Sequence, residues 1–260
     1  MAYLFSVSVL IAEGTIPQDQ PTLDNFRTVL GSAFYRGVVL RTFVVGFCVG
    51  LLVVVLAYPL AYFLVRTRSR WKGALIALSL APLLGSAIVR SYGWHVILNQ
   101  DGALNSLLLW AGLVEQPLRF LPSTPAIVIG LTHALLPYGV LSIMTALNAM
   151  DPALERAAMS LGASRARTFW RVTLPLTLPG VAAGFALAFA ISIGAYATPA
   201  ILGGPGTETM ATMIRNFMLA LLDWGLGSAM GVILLASALA LLLIAALLGG
   251  PARRTVVAAP

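Results

Sequence analysis

The sequence predicts an all-α integral membrane protein with about five helical spans, and two observations carry that fold class. Of the 260 residues, 59% are hydrophobic and only 10% are charged, where a soluble globular domain carries about 25% charged residues. The apolar residues also lie in long blocks rather than in helical or strand alternation, as segments solvated by lipid do. A single transmembrane domain over residues 1–260 is the expected organisation. The lone cysteine, Cys48, sits inside an apolar block, which leaves no disulfide framework and no cysteine-based metal site. The net charge of +7 comes from basic residues beside the blocks, with no aromatic-interleaved patch, so it argues for membrane topology and against nucleic acid as a partner.

Taken in order, residues 1–12 are apolar but too short to span, and they lack the basic leader and small-residue cleavage site of a secretory signal. Blocks long enough to cross follow at 43–65, 73–98, 126–147, 180–202 and 226–248. The second is the least clean, because its apolar run meets Arg90 and then Ser91, Tyr92, Gly93, Trp94 and His95, as a span nearing its interface would. Pro59, Pro82, Pro137 and Pro199 lie in or near the blocks. They read either as ordinary kinks or as breaks whose freed backbone groups line a cavity.

Cytoplasmic connections collect Lys and Arg. The connection after the first block holds Arg66, Arg68, Arg70 and Lys72; that after the third holds Arg156, Arg165, Arg167 and Arg171; the tail holds Arg253 and Arg254. The opposite side receives fewer arginines and most of the carboxylates. The alternation places the C-terminus in the cytoplasm and residues 1–42 outside. An external N-terminus without a signal implies a first span encoded upstream of this start.

The connection 151–179 is long and reads as two short helices. Asp151 is a good N-cap and Pro152 suits the first helical position, after which ALERAAMSL continues until Gly162 can close the helix in the left-handed conformation. Ser164 can cap a second short helix, RARTFWRV, which Pro175 and Pro179 are expected to stop. Ala157, Ala158 and Gly162 leave the hairpin almost no side-chain bulk, so another protein can approach its backbone, and a helix pair joined rigidly to two spans can pass on a push. An amphipathic pair resting on anionic lipid is the plainer alternative, but it gives no reason for the spacing from Gly162 to Pro175.

That spacing carries a resemblance. Ala157-Ala158, three residues, Gly162, nine residues, then Val172-Thr173-Leu174-Pro175 resembles the EAA loop of binding-protein-dependent ABC permeases, written E-A-A-x3-G-x9-I-x-L-P. The motif's glutamate is replaced by Arg156, and the nearest carboxylate is Glu155. From about Leu23 onward, TLDNFRTVL, AYPLAYFLVR, IVRSYGWHVIL, DGALNSLLLWAGL, GLTHALLPYGVLSI and TPAILGGPGTETMATMI are similar to the spermidine/putrescine, PotB-like, subfamily. The resemblance implies the ABC importer permease fold, usually of six spans. It implies a loop of Glu155, Arg156, Ala157, Ala158, Gly162, Val172, Leu174 and Pro175 coupled to an ATPase, and a bacterial inner-membrane location. It further implies two ATP-binding subunits that use ATP and Mg, a second permease, a periplasmic or lipid-anchored solute-binding protein, and a polyamine or another small solute as cargo.

The residues supply no catalytic chemistry of their own. Lys72, the sole lysine, is followed by Gly73 with no phosphate loop ahead of it, and His95 and His133 have no spaced metal-ligand companion, so neither cofactor nor metal is expected on this chain. An ion-driven secondary transporter is the main alternative, but such carriers place carboxylates at membrane depth, and all nine Asp and Glu residues fall outside the blocks. Arg90 either snorkels to the outer interface or lines the solute path, where it would disfavour a polycation. Tyr92, Trp94, Tyr138 and Tyr196 are either aromatic walls attractive to a cation or interface anchors. GGPGTE, at 203–208, lacks a following lysine; with Glu208 and Asp223 it reads as an outer gate or a docking surface for the binding protein, or as a plain turn.

Overall fold

In the computed structural model, residues 10–13, 16–21 and 23–248 are described. An antiparallel hairpin, β1 (Leu10–Glu13) and β2 (Ile16–Pro21), comes first, where the sequence reading has no element. The rest is helical. A short helix, α1 (Asp24–Gly31), leads into α2 (Ala33–Arg66), the longest element of the chain.

Helix α2 begins ten residues before its apolar block because Phe34, Tyr35 and Val38–Leu40 extend the helix pattern through isolated arginines. One face carries Val38, Thr42, Val45, Val49, Val53, Ala57, Ala61 and Leu64, all buried, at steps of three or four. The other presents Leu40, Val44, Phe47, Leu51 and Val55, each roughly half exposed, as a lipid-facing surface does. Against the buried stripe pack α6 (Thr124–Ala149) and α9 (Leu174–Ile193), so that three helices form the centre of the molecule. Small residues set their approach: a Cβ built on Gly184 of α9 would stand 3.2 Å from Gly139 Cα of α6, a backbone contact that drives association where the lipid tails are as apolar as the side chains.

The second block is not one straight span. Helix α3 (Lys72–Leu80) tightens into a 3-10 turn, Ala81–Leu83, stops, and resumes as α4 (Ala87–Leu98), followed by α5 (Ala103–Trp110); Lys72–Leu83 and Ala87–Trp110 meet at 94°. Pro82 has no N–H to continue the ladder. Arg90 turns back from α4 so that its Nη1 donates to the carbonyls of Pro82 and Gly85. The guanidinium therefore satisfies the backbone freed by the break, a role that neither reading of Arg90 from sequence contained.

The fourth block is shifted. Helix α7 (Pro152–Ser160) precedes α8 (Arg165–Thr168), a π-helical turn Phe169–Thr173, and α9, and the run Arg165–Ile193 is continuous. Pro175 and Pro179 do not stop the helix that starts at Arg165. The π turn widens the helix just ahead of Pro175 and relieves the clash of its ring with the preceding turn, while the Thr177 hydroxyl donates to Thr173 O (2.8 Å). At the far end the span closes at Gly194, eight residues before its apolar block ends, and α10 (Ala197–Leu202) is a separate short helix with Pro199 in its first turn. Then come α11 (Met210–Arg215), a second π turn Asn216–Leu221, and α12 (Trp224–Leu248) in the place of the fifth block.

Among the described residues, Ala33–Arg66, Thr124–Ala149 and Arg165–Ile193 are each long and apolar enough to cross a membrane, and the bent pair makes a fourth if counted as one span. Arg253 and Arg254 lie outside the described residues.

Candidate functional site

The 151–164 hairpin is built as its caps dictate. The Asp151 carboxylate accepts from Ala153 N (2.7 Å) with Pro152 in the first turn. At the other end Gly162 adopts φ +86; Gly162 N donates to Met159 O (3.0 Å) and Ala163 N to Ala158 O (3.1 Å), the paired bonds of a Schellman closure. The Ser164 hydroxyl accepts from Arg167 N (3.3 Å) and opens α8. The corner between the helices has little bulk and faces outward. Leu161 is 90% exposed, and Arg156, Ala157, Gly162, Arg165, Arg167 and Arg171 are exposed around it.

Glu155 points the other way. It is buried at 8% exposure; its Oε1 pairs with Arg66 Nη2 at the end of α2 and accepts from the Thr173 hydroxyl (2.6 Å) in the π turn. Ala158, Val172 and Leu174 are half-buried at the foot of the hairpin, and Pro175 is exposed in the first turn of α9. The last two turns of α2 grip the same foot. The Tyr58 hydroxyl meets Thr177 Oγ1 at 2.9 Å, Tyr58 and Tyr62 place their rings edge-on to Phe169 at 5.6 and 5.7 Å, and Arg66 lies 5.3 Å over the Tyr62 ring. The roles of Tyr58, Tyr62, Arg66 and Thr173 were missed from the sequence. For the first three the signal available was their four-residue spacing in AYPLAYFLVR, which puts Tyr58, Tyr62 and Arg66 on one helical face.

The opposite end of α2 carries a second ion pair. Arg41 Nη1 lies 3.4 Å from Glu208 Oε2, and some 25 residues of helix separate Arg41 from Arg66, ~37 Å at the rise of an α-helix and more than the ~30 Å of a hydrocarbon core. The hairpin and the 203–209 loop thus belong to opposite ends of the bundle.

At that second end, Tyr196 and Glu208 come together in an open cleft of about 290 Å³. Pro199, Gly203, Thr212 and Arg215 also line it, and Arg215 stands 5.8 Å over the Tyr196 ring. The other sequence candidates are dispersed. Trp94 donates from its Nε1 to His133 Nδ1 (3.2 Å), and Trp94 and Tyr138 both pack on the cluster of Val49, Val53, Ile127, Leu131 and Leu135. Tyr92 is 57% exposed. Asp223 caps α12, accepting from Leu226 N (2.9 Å).

Comparison with known proteins agrees with this architecture. Residues 28–253 match the family described as binding-protein-dependent transport system inner membrane component. The spermidine/putrescine transport system permease protein PotB of Escherichia coli (strain K12) is 32% identical over 213 residues, covering 82% of this chain and 77% of that protein. Two crystal structures share the fold. A bacterial ABC transporter that imports the acidic polysaccharide alginate has TM-score 0.75 at 19% identity, covering 95% of this chain and 88% of that one. A bacterial alginate ABC transporter in complex with its alginate pentasaccharide-bound periplasmic protein has TM-score 0.73 at 20% identity, covering 86% and 81%. The chain belongs to the binding-protein-dependent transport system inner membrane component family, and it is a multi-pass inner-membrane permease subunit of an ABC importer.

Proposed function

We propose that this permease forms half of a translocation pathway for a polyamine such as spermidine or putrescine, with a second permease supplying the other half. Two ATPase subunits, which bind the ATP and Mg that this chain does not, dock on the exposed corner of the 151–164 hairpin. That end, with the C-terminus, faces the cytoplasm. A periplasmic or lipid-anchored binding protein delivers solute at the opposite end, where Glu208 and Tyr196 border the cleft. ATP binding closes the motor pair and moves the hairpins, and hydrolysis resets them.

The observation that supports this best is the rigid, outward-facing corner at Gly162, closed by paired backbone bonds and rooted in the three-helix centre through Glu155. The polyamine assignment draws on the similarity to PotB. Arg90 keeps its charge, but its Nη1 is turned onto the carbonyls of Pro82 and Gly85.

The experiment is uptake of labelled spermidine into proteoliposomes holding both permeases, the ATPase and the binding protein. Uptake should persist with ion gradients collapsed and ATP on the ATPase side. Uptake that follows an ion gradient and ignores ATP would remove the motor-driven reading; uptake of another solute in place of spermidine would move the cargo to another class.

A further inference from the structure

We propose that Glu155 is a positioning residue that ties the hairpin to α2, passing the displacement of α7 into that helix, and does not itself contact the ATPase. This rests on the coupling role of the hairpin proposed above and assigns one residue within it.

The chain connects the hairpin covalently to α6 at one end and to α9 at the other. It has no covalent link to α2, the third member of the central bundle. What joins them is the side-chain set around Glu155. One carboxylate oxygen receives both Arg66 and the Thr173 hydroxyl, while Tyr58 and Tyr62 hold Phe169 in the π turn between α8 and α9. A buried carboxylate is tolerated when it is paired and hydrogen-bonded, and removing a partner leaves an uncompensated charge. Lifting α7 away from α2 would take the buried Glu155 carboxylate from its cation, so the two elements move as one. Motion imposed on the hairpin then enters a helix whose far end holds the 203–209 loop through Arg41 and Glu208. The next residue, Arg156, is exposed on the outer side of α7 and is the one presented to a docking partner.

The test uses the complete transporter in proteoliposomes with Cys48→Ser and spin labels at Ala153 on α7 and Ser69 just beyond α2, both exposed positions. With Glu155 intact, the distance between the labels should be the same with and without a non-hydrolysable ATP analogue. In Glu155→Ala it should change between the two states, and spermidine uptake per ATP hydrolysed should fall on the order of tenfold. Exchanging the pair, Arg66→Glu with Glu155→Arg, should restore the constant distance.

A Glu155→Ala transporter that keeps a constant distance overturns the proposal, as does one that loses its ATPase subunits at unchanged distance. Should Glu155→Ala fail to insert, the exchanged pair decides: an inserted transporter whose label distance still varies overturns the proposal, and a constant distance supports it. Gly162→Leu separates this from the coupling reading itself. If Gly162→Leu abolishes coupling and Glu155→Ala does not, only the role of Glu155 fails; if the ATPase does not engage the hairpin at all, the coupling reading fails with it.

Discussion

Arg41 holds Glu208 twice, with Nη1 3.1 Å from its main-chain oxygen and 3.4 Å from Oε2, while Glu208 Oε1 accepts from Gly206 N at 3.0 Å. The loop at the far end of α2 is thus closed on itself through one carboxylate and fastened to the helix by one arginine. Thr42, the next residue, accepts from Met210 N (2.8 Å) and fixes the start of α11 beside it.

Replacing Arg41 with alanine should therefore loosen 203–209 without disturbing the bundle. Both side chains of the pair are about a quarter to a third exposed, so the loss should be about 1 kcal/mol of local stability. Hydrogen exchange at Thr207 and Glu208 should speed up accordingly, while exchange in α6 and α9 stays as it was. Faster exchange throughout the three central helices would show that Arg41 supports the whole bundle instead.

A second arginine has a different task. Arg90 serves the carbonyls left by the break at Pro82, and its Nε is buried without a partner, so its removal exposes a bend rather than a surface. Arg90→Ala should cost about 1–3 kcal/mol and increase exchange from Leu83 to Ala87. Arg90→Lys should recover part of it, since an ammonium has donors enough for both carbonyls, as the single Nη1 does here, but sits on a shorter side chain. A variant with wild-type exchange across 83–87 would mean the bend holds without its cap.

These two residues also mark what was legible in the sequence. Apolar blocks and their flanking charges are one-dimensional signals, and they located the long helices and the capped hairpin, including the left-handed Gly162, but not the short helices at 24–31, 103–110 and 210–215. They placed helix ends poorly. Hydropathy is blind to where a ladder breaks, so 73–98 read as one span although Pro82 and Gly85 bend it by 94°, and 180–202 ran past Gly194. The reading of Pro175 and Pro179 as stops rested on a regular α-ladder, whereas the π turn ahead of them changes the geometry the ring meets. The destination of Glu155 was hidden for another reason. Arg66 is its partner across a long sequence separation, and only the packing of α2 against α9 brings the two ends together.

Packing of α6 against α9 gives a prediction with an internal control. A Cβ at Gly180 would lie 2.5 Å from Ala146 Cβ and 2.8 Å from Ser142 O, so even alanine forces the backbones apart. A Cβ at Gly37, on α2, meets nothing within 4 Å. Gly180→Ala should destabilise by about 1–3 kcal/mol, seen as earlier unfolding of the solubilised permease in denaturant. Gly37→Ala should be neutral or stabilising by up to about 1 kcal/mol through helix propensity. Equal effects would sink the claim that close helix approach rather than composition selects glycine at Gly180.

Gly162 separates backbone strain from partner sterics. Its φ of +86 disfavours any L side chain, yet a Cβ there meets nothing within 4 Å, so within this chain the cost of a substitution is set by the backbone. Gly162→Ala and Gly162→Leu should each cost about 1–2 kcal/mol and melt together when the permease is purified alone, with Gly162→Asn losing less because asparagine tolerates the left-handed region. A docked ATPase subunit breaks that equivalence, since only leucine projects into the space a partner would occupy. Capture of the ATPase by immobilised permease should therefore fall in the order asparagine, alanine, leucine, with a large step at leucine that the melting temperatures do not show. If alanine and leucine captured the ATPase equally well, the partner would have to approach the hairpin from a side other than this corner.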